Sequence, residues 1–269
     1  PLRRVEDFGK RVPRAWKQAG VAIMPMYQAE AMWMNFTGEY PVALKIGTGR
    51  INAVNGASWS KGLQREPQGY VVLPEQPWLD GYCVEKGVVR QFIAAPLGKG
   101  YTAEEQLEGS TDGGIRLEAV PLNPEMYFDK ELVDSLPRTL EDVLEQYFQG
   151  QGTGVNDCGP VVYCASPGMG LGAGGRMEQE IYEDQWEASD WDLAEAREAQ
   201  VRICDALQWA DITGELPPTE PVTTETYARY GLPWFDYYRD DIKALEATGR
   251  LASLKSVQAL ADKAVDLNV

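Results

Sequence analysis

The sequence predicts an α+β fold: a β-rich, sandwich-like core with a helical C-terminal region packed on it. Three observations predict this. Between residues 38 and 121, short apolar runs alternate with Gly- and Pro-containing turns, the spacing of a sandwich or barrel-like sheet. After residue 214, a Pro-rich connector leads into segments with helical apolar spacing. The 269 residues are 44% hydrophobic and include 8 Trp and 13 Tyr, which argues for a packed core and against disorder. On this reading the chain divides into a basic N-terminal arm (1–20), a β-rich core domain (21–213) and a Pro-rich connector with a helical extension (214–269).

In the arm, Phe8, Val12 and Trp16 recur every four residues and make one face of a short helix, which Pro13 interrupts. Val42, Leu44 and Ile46 alternate, and Gly47-Thr48-Gly49 turns the chain into a second strand over 50–54. Residues 70–73 form another short run. Residues 82–84 and 88–94 flank Glu85-Lys86-Gly87, a hairpin in which Gly87 supplies the positive φ. Thr102 with Glu105 is a capping box for a helix that Gly109 stops. Ile115, Leu117 and Ala119 point one way and Arg116 and Glu118 the other, as in a half-buried strand. Thr139 with Asp142 opens a helix striped by Leu140, Val143, Leu144, Tyr147 and Phe148 and closed by Gly150. Residues 161–164 are an apolar strand within a glycine-rich stretch. Residues 193–210 read both as helix, from their Ala and Glu, and as strand, from Val201-Arg202-Ile203-Cys204. Helices then run over 224–230, closed by Gly231, over 240–248, closed by Gly249, and around Val257 and Leu260.

The chain contains no histidine. That excludes Ser-His-Asp and Cys-His catalysis and imidazole-dependent zinc sites within one chain. Any transition between pH 6 and 8 must then come from a perturbed carboxylate, a cysteine or the α-amino group. Net charge is −16, unevenly spread. Residues 1–20 carry six basic and two acidic groups, whereas residues 121–200 carry four and seventeen. A field of that sign repels phosphate backbones, so nucleic acid is not an expected partner. No stretch is apolar enough for a membrane span, and the start of the chain does not resemble a secretory signal. Cys83, Cys158, Cys164 and Cys204 form no C-x-x-C pair and read as free thiols, which predicts a cytoplasmic protein without a disulfide framework. Asn35-Phe36-Thr37 matches a glycosylation acceptor and, with no signal expected, is read as fortuitous.

Each catalytic motif fails on its surroundings. Gly170, Gly172 and Gly175 match G-x-G-x-x-G after a strand. Arg176-Met-Glu-Gln-Glu follows, however, where acidic side chains would face a pyrophosphate, and no β-α-β alternation surrounds it. A flexible loop, or a place where backbones pack closely, explains the glycines better. Ser58-Trp59-Ser60-Lys61 matches S-x-x-K in what reads as a wet loop, without supporting elements. Glu178, Glu180, Glu183 and Asp184 lack the ligand spacing of a calcium loop and read as a solvated face, so neither metal nor cofactor is expected. Carboxylates beside aromatics remain: Trp78 with Asp80, Asp190 and Asp192 around Trp191, and Asp236 after Trp234-Phe235.

Three phrases taken together resemble an uncharacterised family of soluble bacterial and fungal proteins. They are Pro77-Trp-Leu-Asp-Gly81 running on to Gly87-Val-Val-Arg-Gln-Phe92, Pro96-Leu-Gly98 with Gly100-Tyr-Thr-Ala-Glu-Glu-Gln106, and Gly231-Leu-Pro-Trp-Phe-Asp-Tyr-Tyr238. The resemblance implies one continuous fold from about residue 20 onward and carries no activity or catalytic residue.

The function expected from sequence is a non-enzymatic binding or self-assembling protein. Arg3, Arg4, Lys10, Arg11, Arg14 and Lys17 would dock on the acidic surface of a second copy around 178–198, with Trp234 and Phe235 as an aromatic anchor, giving a homo-oligomer. The alternative is a carbohydrate-binding or carboxylate-dependent glycoside-hydrolysing protein that takes a glycan through Trp78, Asp80 and Trp191.

Overall fold

A computed structural model describes residues 2–17, 21–127, 168–218 and 245–266. Cys158, Cys164, the helix expected over 139–149, the strand at 161–164, the helix at 224–230 and the aromatic anchor Trp234-Phe235 lie outside the described residues.

The strands run in chain order as β1 (Arg3–Arg4), β2 (Val21–Pro25), β3 (Ala31–Met32), β4 (Met34–Asn35), β5 (Val42–Thr48), β6 (Ile51–Asn52), β7 (Val71–Leu73), β8 (Trp78–Leu79), β9 (Gly81–Glu85), β10 (Val88–Pro96), β11 (Ile115–Pro121), β12 (Met169–Glu178) and β13 (Arg197–Cys204). The fold is α+β and dominated by one large, mainly antiparallel sheet of order β3-β10-β12-β13-β11-β5-β6. Strand β2 joins it parallel to β13, with Val21 opposite Gln200 and Pro25 opposite Cys204. A single residue pair, Met169 opposite Ile203, joins β12 to β13. The Tyr82 hydroxyl then crosses from β9 to β5, donating to the Leu171 carbonyl at 3.0 Å and accepting from the Thr48 hydroxyl at 2.9 Å.

The main core follows from strand periodicity. Leu44 and Ile46 of β5, Ile115 of β11, and Val201 and Ile203 of β13 lie on one face and pack with Phe92, Leu171, Leu251 and Leu254. The opposite face is covered at its two ends. Val21, Ile23 and Cys204 meet Val5, Val12, Trp209 and Ile212 at one end. Ala43, Val72 and Val120 meet Tyr70, Leu122 and Trp191 at the other. Strand β5 is therefore buried on both faces, whereas β11 keeps Arg116 part-exposed and buries Glu118 and Val120; the outward Glu118 expected from the alternation is corrected. Glu118 is buried, 2.9 Å from the buried ammonium of Lys45, which sits directly opposite it in the register.

Local chemistry sets the element ends as expected at several points. Thr102 and Glu105 form the reciprocal capping box of the Ala103–Glu108 helix, and Gly109 closes it in the left-handed conformation. Gly87 turns β9 into β10 with φ +70°. The ambiguity at 193–210 resolves by position: β13 comes first, then Asp205 accepts the Gln208 N–H and starts the Ala206–Thr213 helix.

At the glycine-rich stretch, close packing rather than a flexible loop holds, and the helix expected up to Gly249 is corrected. The G-x-G-x-x-G stretch is the central strand β12. A Cβ on Gly172 would lie 2.6 Å from the Tyr101 carbonyl oxygen and 2.7 Å from Val257 Cγ2. The glycines are there because neighbouring segments press onto the strand. Gly249 does not close a helix over 245–248. Thr248 is extended, its hydroxyl bonded to the Asn55 carbonyl at 2.6 Å, and Gly249 opens the Gly249–Ala252 helix. The final helix, Val257–Asp266, lies where expected. Among the described residues no helix is long and apolar enough to cross a membrane.

Candidate binding site

Strands β3 and β9 lie end to end along the outer edge of β10. Where they meet, both chains leave the sheet. Trp33 carries β3 into β4, Asp80 carries β8 into β9, and β4 and β8 pair with each other as a separate two-stranded ribbon. Its register sets Met34 opposite Leu79 and Asn35 opposite Trp78. By alternation along each chain, Trp33 falls on the face of Asn35 and Asp80 on the face of Trp78. Residues directly opposite share a face, and so do residues two apart. Leu79 is fully buried and Met34 packs on the main core. Trp33, Asn35, Trp78 and Asp80 therefore occupy the other, outward face. Trp33 is 48% exposed, and Asn35 is exposed.

The ribbon is held from behind by two buried amides. Gln179 accepts the Asp80 N–H at 2.9 Å and donates to the Trp78 carbonyl at 3.2 Å. Gln76 donates to the Trp78 and Glu180 carbonyls at 3.1 and 3.2 Å and accepts the Tyr182 N–H. The Asp80 carbonyl accepts the Phe92 N–H at 2.9 Å. The outward side chains thus stand on a backbone fixed at each residue from 78 to 80.

Burial pushes the Asp80 carboxyl up to about 6, against a smaller opposing effect of its hydrogen bond with the Trp78 side chain. The indole N–H is that side chain's single donor, so Asp80 also fixes the tilt of the Trp78 ring. A folded state that holds this proton more tightly than the unfolded chain loses stability as pH rises from about 4 to about 6, then loses no more. Asp80→Asn removes that penalty. The variant should melt at a higher temperature than the parent at pH 7.5 and at an equal temperature near pH 4. Thermal unfolding across this range checks it, and a constant difference at all pH values would contradict the assignment.

Trp191, the other expected sugar platform, is 4% exposed and belongs to the core. Its indole N–H donates to Asp184 Oδ2 at 2.9 Å, beside the Tyr70 hydroxyl at 2.6 Å, and the Trp186 N–H reaches Oδ1 at 2.9 Å. Asp184 is therefore a satisfied buried acceptor, not part of a solvated acidic face. Asp190 and Asp192 are spent on local caps, bonding the backbone at Glu187 and at Ala194. The S-x-x-K pair is also apart in role: the Ser58 hydroxyl meets Glu108, while the exposed Lys61 pairs with Glu198 at 3.3 Å. Burial raises the Cys83 thiol to about 11 and the Cys204 thiol to about 12, so neither is a thiolate nucleophile at neutral pH.

The basic N-terminal segment is docked on its own chain. Residues 3–4 pair with β2, and Val5 and Val12 are buried under the Ala206–Thr213 helix and β2, with Phe8 and Trp16 packed beside them. The periodicity of Phe8, Val12 and Trp16 marked the correct face. Arg4, Lys10, Arg14 and Lys17 are exposed; Arg3 and Arg11 are half-buried, and Arg3 pairs with Glu215 at 3.4 Å.

Trp33 and Asn35 were missed as site residues. Their signal is the alternation in Met32-Trp-Met-Asn-Phe36, in which the residues on either side of Met34 face away from the core. Compared with models of protein families, with curated protein sequences and with solved structures, the chain finds no match.

Proposed function

We propose that this is a non-enzymatic binding protein that takes carbohydrate on the outer face of the β4–β8 ribbon. The observation that carries the reading is the division of the ribbon, with Met34 and Leu79 in the core and Trp33, Asn35, Trp78 and Asp80 on the opposite side. Trp rings offer flat apolar faces for the C–H side of a sugar ring, and the Asn amide and Asp carboxyl offer hydrogen-bond partners for its hydroxyls. Hydrolysis is not part of the reading. It requires a second carboxylate about 5–9.5 Å away. The Asp80 shift comes mainly from burial, and among the described residues no neighbouring carboxylate contributes to it. A screen of neutral, amino and acidic oligosaccharides should find binders, and Trp33→Ala should weaken them about tenfold, or 1.4 kcal/mol. No binding at millimolar concentrations across the screen overturns the reading.

A second reading, self-assembly into homo-oligomers, is favoured by one observation. The basic segment is pinned by its apolar face, so Arg4, Lys10, Arg14 and Lys17 are presented outward on a chain of net charge −16. Glu178, Glu187, Glu195 and Glu198 are exposed acids that a second copy would offer. Deleting the segment would uncover Val21, Ile23 and Trp209, so charge reversal is the cleaner test. Changing the four exposed basic residues to Glu should abolish any assembly seen by light scattering. About 1 M salt, where screening acts over about 3 Å, should do the same to the parent. A monomeric mass for parent and variant alike removes this reading. The buried free thiols Cys83 and Cys204 support a cytoplasmic setting.

A further inference from the structure

A half-buried carboxylate is costly unless something compensates its charge. Asp80 has one such partner, the neutral indole N–H of Trp78. The other groups that meet residue 80 are also uncharged. Among the described residues they are the Gln179 amide on its N–H and the Phe92 N–H on its carbonyl, with Trp33 on the same face of the ribbon. Among the described residues no lysine or arginine pairs with it.

The outward face of the ribbon therefore carries two indole rings and an acid with no cation paired to it among the described residues. Aromatic faces attract cations through the negative potential over the ring, most strongly for Trp. The net charge of −16 raises the local concentration of cations and repels anions. A neutral sugar would satisfy the rings and leave the acid unpaired. An acidic sugar would add a second negative charge beside it. A sugar with a protonated amine satisfies both parts of the site at once.

We infer that the ribbon is specific for amino sugars: a glycan with a free amine, whose ammonium group pairs with Asp80 while its ring lies on Trp33 and Trp78. The inference rests on the carbohydrate reading above and adds the ligand's charge. Asp80 accepts from the ammonium with one oxygen and from the Trp78 N–H with the other, so the residue that orients the ring also selects the ligand. Binding requires an ionised carboxyl and a protonated amine together. Affinity should then fall on the acid side, as Asp80 takes up a proton, and on the alkaline side, as the amine loses one.

Calorimetric titration of the full chain with three probes of equal length tests this: β-1,4-linked glucosamine, N-acetylglucosamine and glucose oligomers. At pH 6.5, the glucosamine oligomer should bind at least about tenfold more tightly than either neutral probe, the size expected for one charge-assisted pair. Asp80→Asn keeps an acceptor for Trp78 and should abolish the preference, so that the variant binds glucosamine no more tightly than it binds the neutral probes. Trp33→Ala should weaken all binders equally. Equal affinity for the three probes, or an Asp80→Asn variant that keeps the preference, overturns the amine inference and leaves the carbohydrate reading in place. No binding by any probe overturns both.

Discussion

Replacing Lys45 with Met is expected to destabilise the protein by about 3–5 kcal/mol, the range for removing one partner of a buried ion pair. Lys45 and Glu118 are 3% and 4% exposed, 2.9 Å apart, and directly opposed on β5 and β11. The ammonium also donates to the Ser60 carbonyl and to the Gly62 carbonyl at 2.8 Å, and lies 4.5 Å from the centre of the Trp59 ring. Glu118 uses its other oxygen to accept the Gly62 N–H at 2.8 Å. The single substitution leaves a buried negative charge and two carbonyls without their donor. Urea unfolding should show the loss as a lower midpoint at nearly unchanged slope. A second substitution, Glu118→Leu, removes the stranded charge and should recover part of the loss. Recovery stays incomplete because the Gly62 N–H and the Ser60 and Gly62 carbonyls remain unpaired. A single-variant loss below about 1 kcal/mol, the scale of exposed pairs, would show that the site is wet in solution.

Gly81→Ala should be at least as damaging, at about 3 kcal/mol or more. A Cβ there would overlap the carbonyl of Arg90 and crowd Gln91 Cα at 2.9 Å. The obstacles are backbone atoms of the adjacent strand, so no side-chain rotation relieves the overlap. Strand β9 must lift off β10, and Asp80 and the ribbon move with it. The variant should therefore lose ligand binding along with stability, unlike Trp33→Ala, which should lose binding alone. Gly175→Ala is the control: nothing lies within 4 Å of the added methyl and its φ is not positive, so the unfolding midpoint should stay level or rise slightly.

These two positions show what the sequence could disclose. Strand periodicity was legible wherever one face met the core, as in Val42-Leu44-Ile46 and Ile115-Leu117-Ala119. Burial of the opposite face was not, because the residues that cover it come from distant positions: Trp191 and Trp209 from far along the chain, Val5 from near its start. A Lys and a Glu on the far face of two strands read as solvent-facing until their register sets them against each other. The glycines of β12 read as a loop or as a place of close packing, and only the structure, with Tyr101 and Val257 pressed onto Gly172, decides for the second. Of the site, Trp78 and Asp80 were legible as an acid beside an aromatic. Trp33 was not, since the ribbon it stands on pairs Asn35 with Trp78, 43 positions away in the sequence. Trp191 carried the same local signature as Trp78 and turned out to be core, so that signature alone does not separate platform from packing.

The parallel pairing of Val21–Pro25 with Gln200–Cys204 has a consequence for how the chain reaches its native state. Synthesis proceeds from the N-terminus, and β2 emerges long before its partner exists. Until residue 204 has left the ribosome, Val21 and Ile23 have no β13 to pair with and no Ala206–Thr213 helix to cover them. The same delay holds for β10, whose partner β12 lies beyond residue 168. Completion thus waits on contacts of high sequence separation, and refolding should be slow compared with that of helical proteins of this length. In the interval the nascent chain exposes unpaired strand edges, the condition in which chaperone binding protects a polypeptide from associating with its neighbours.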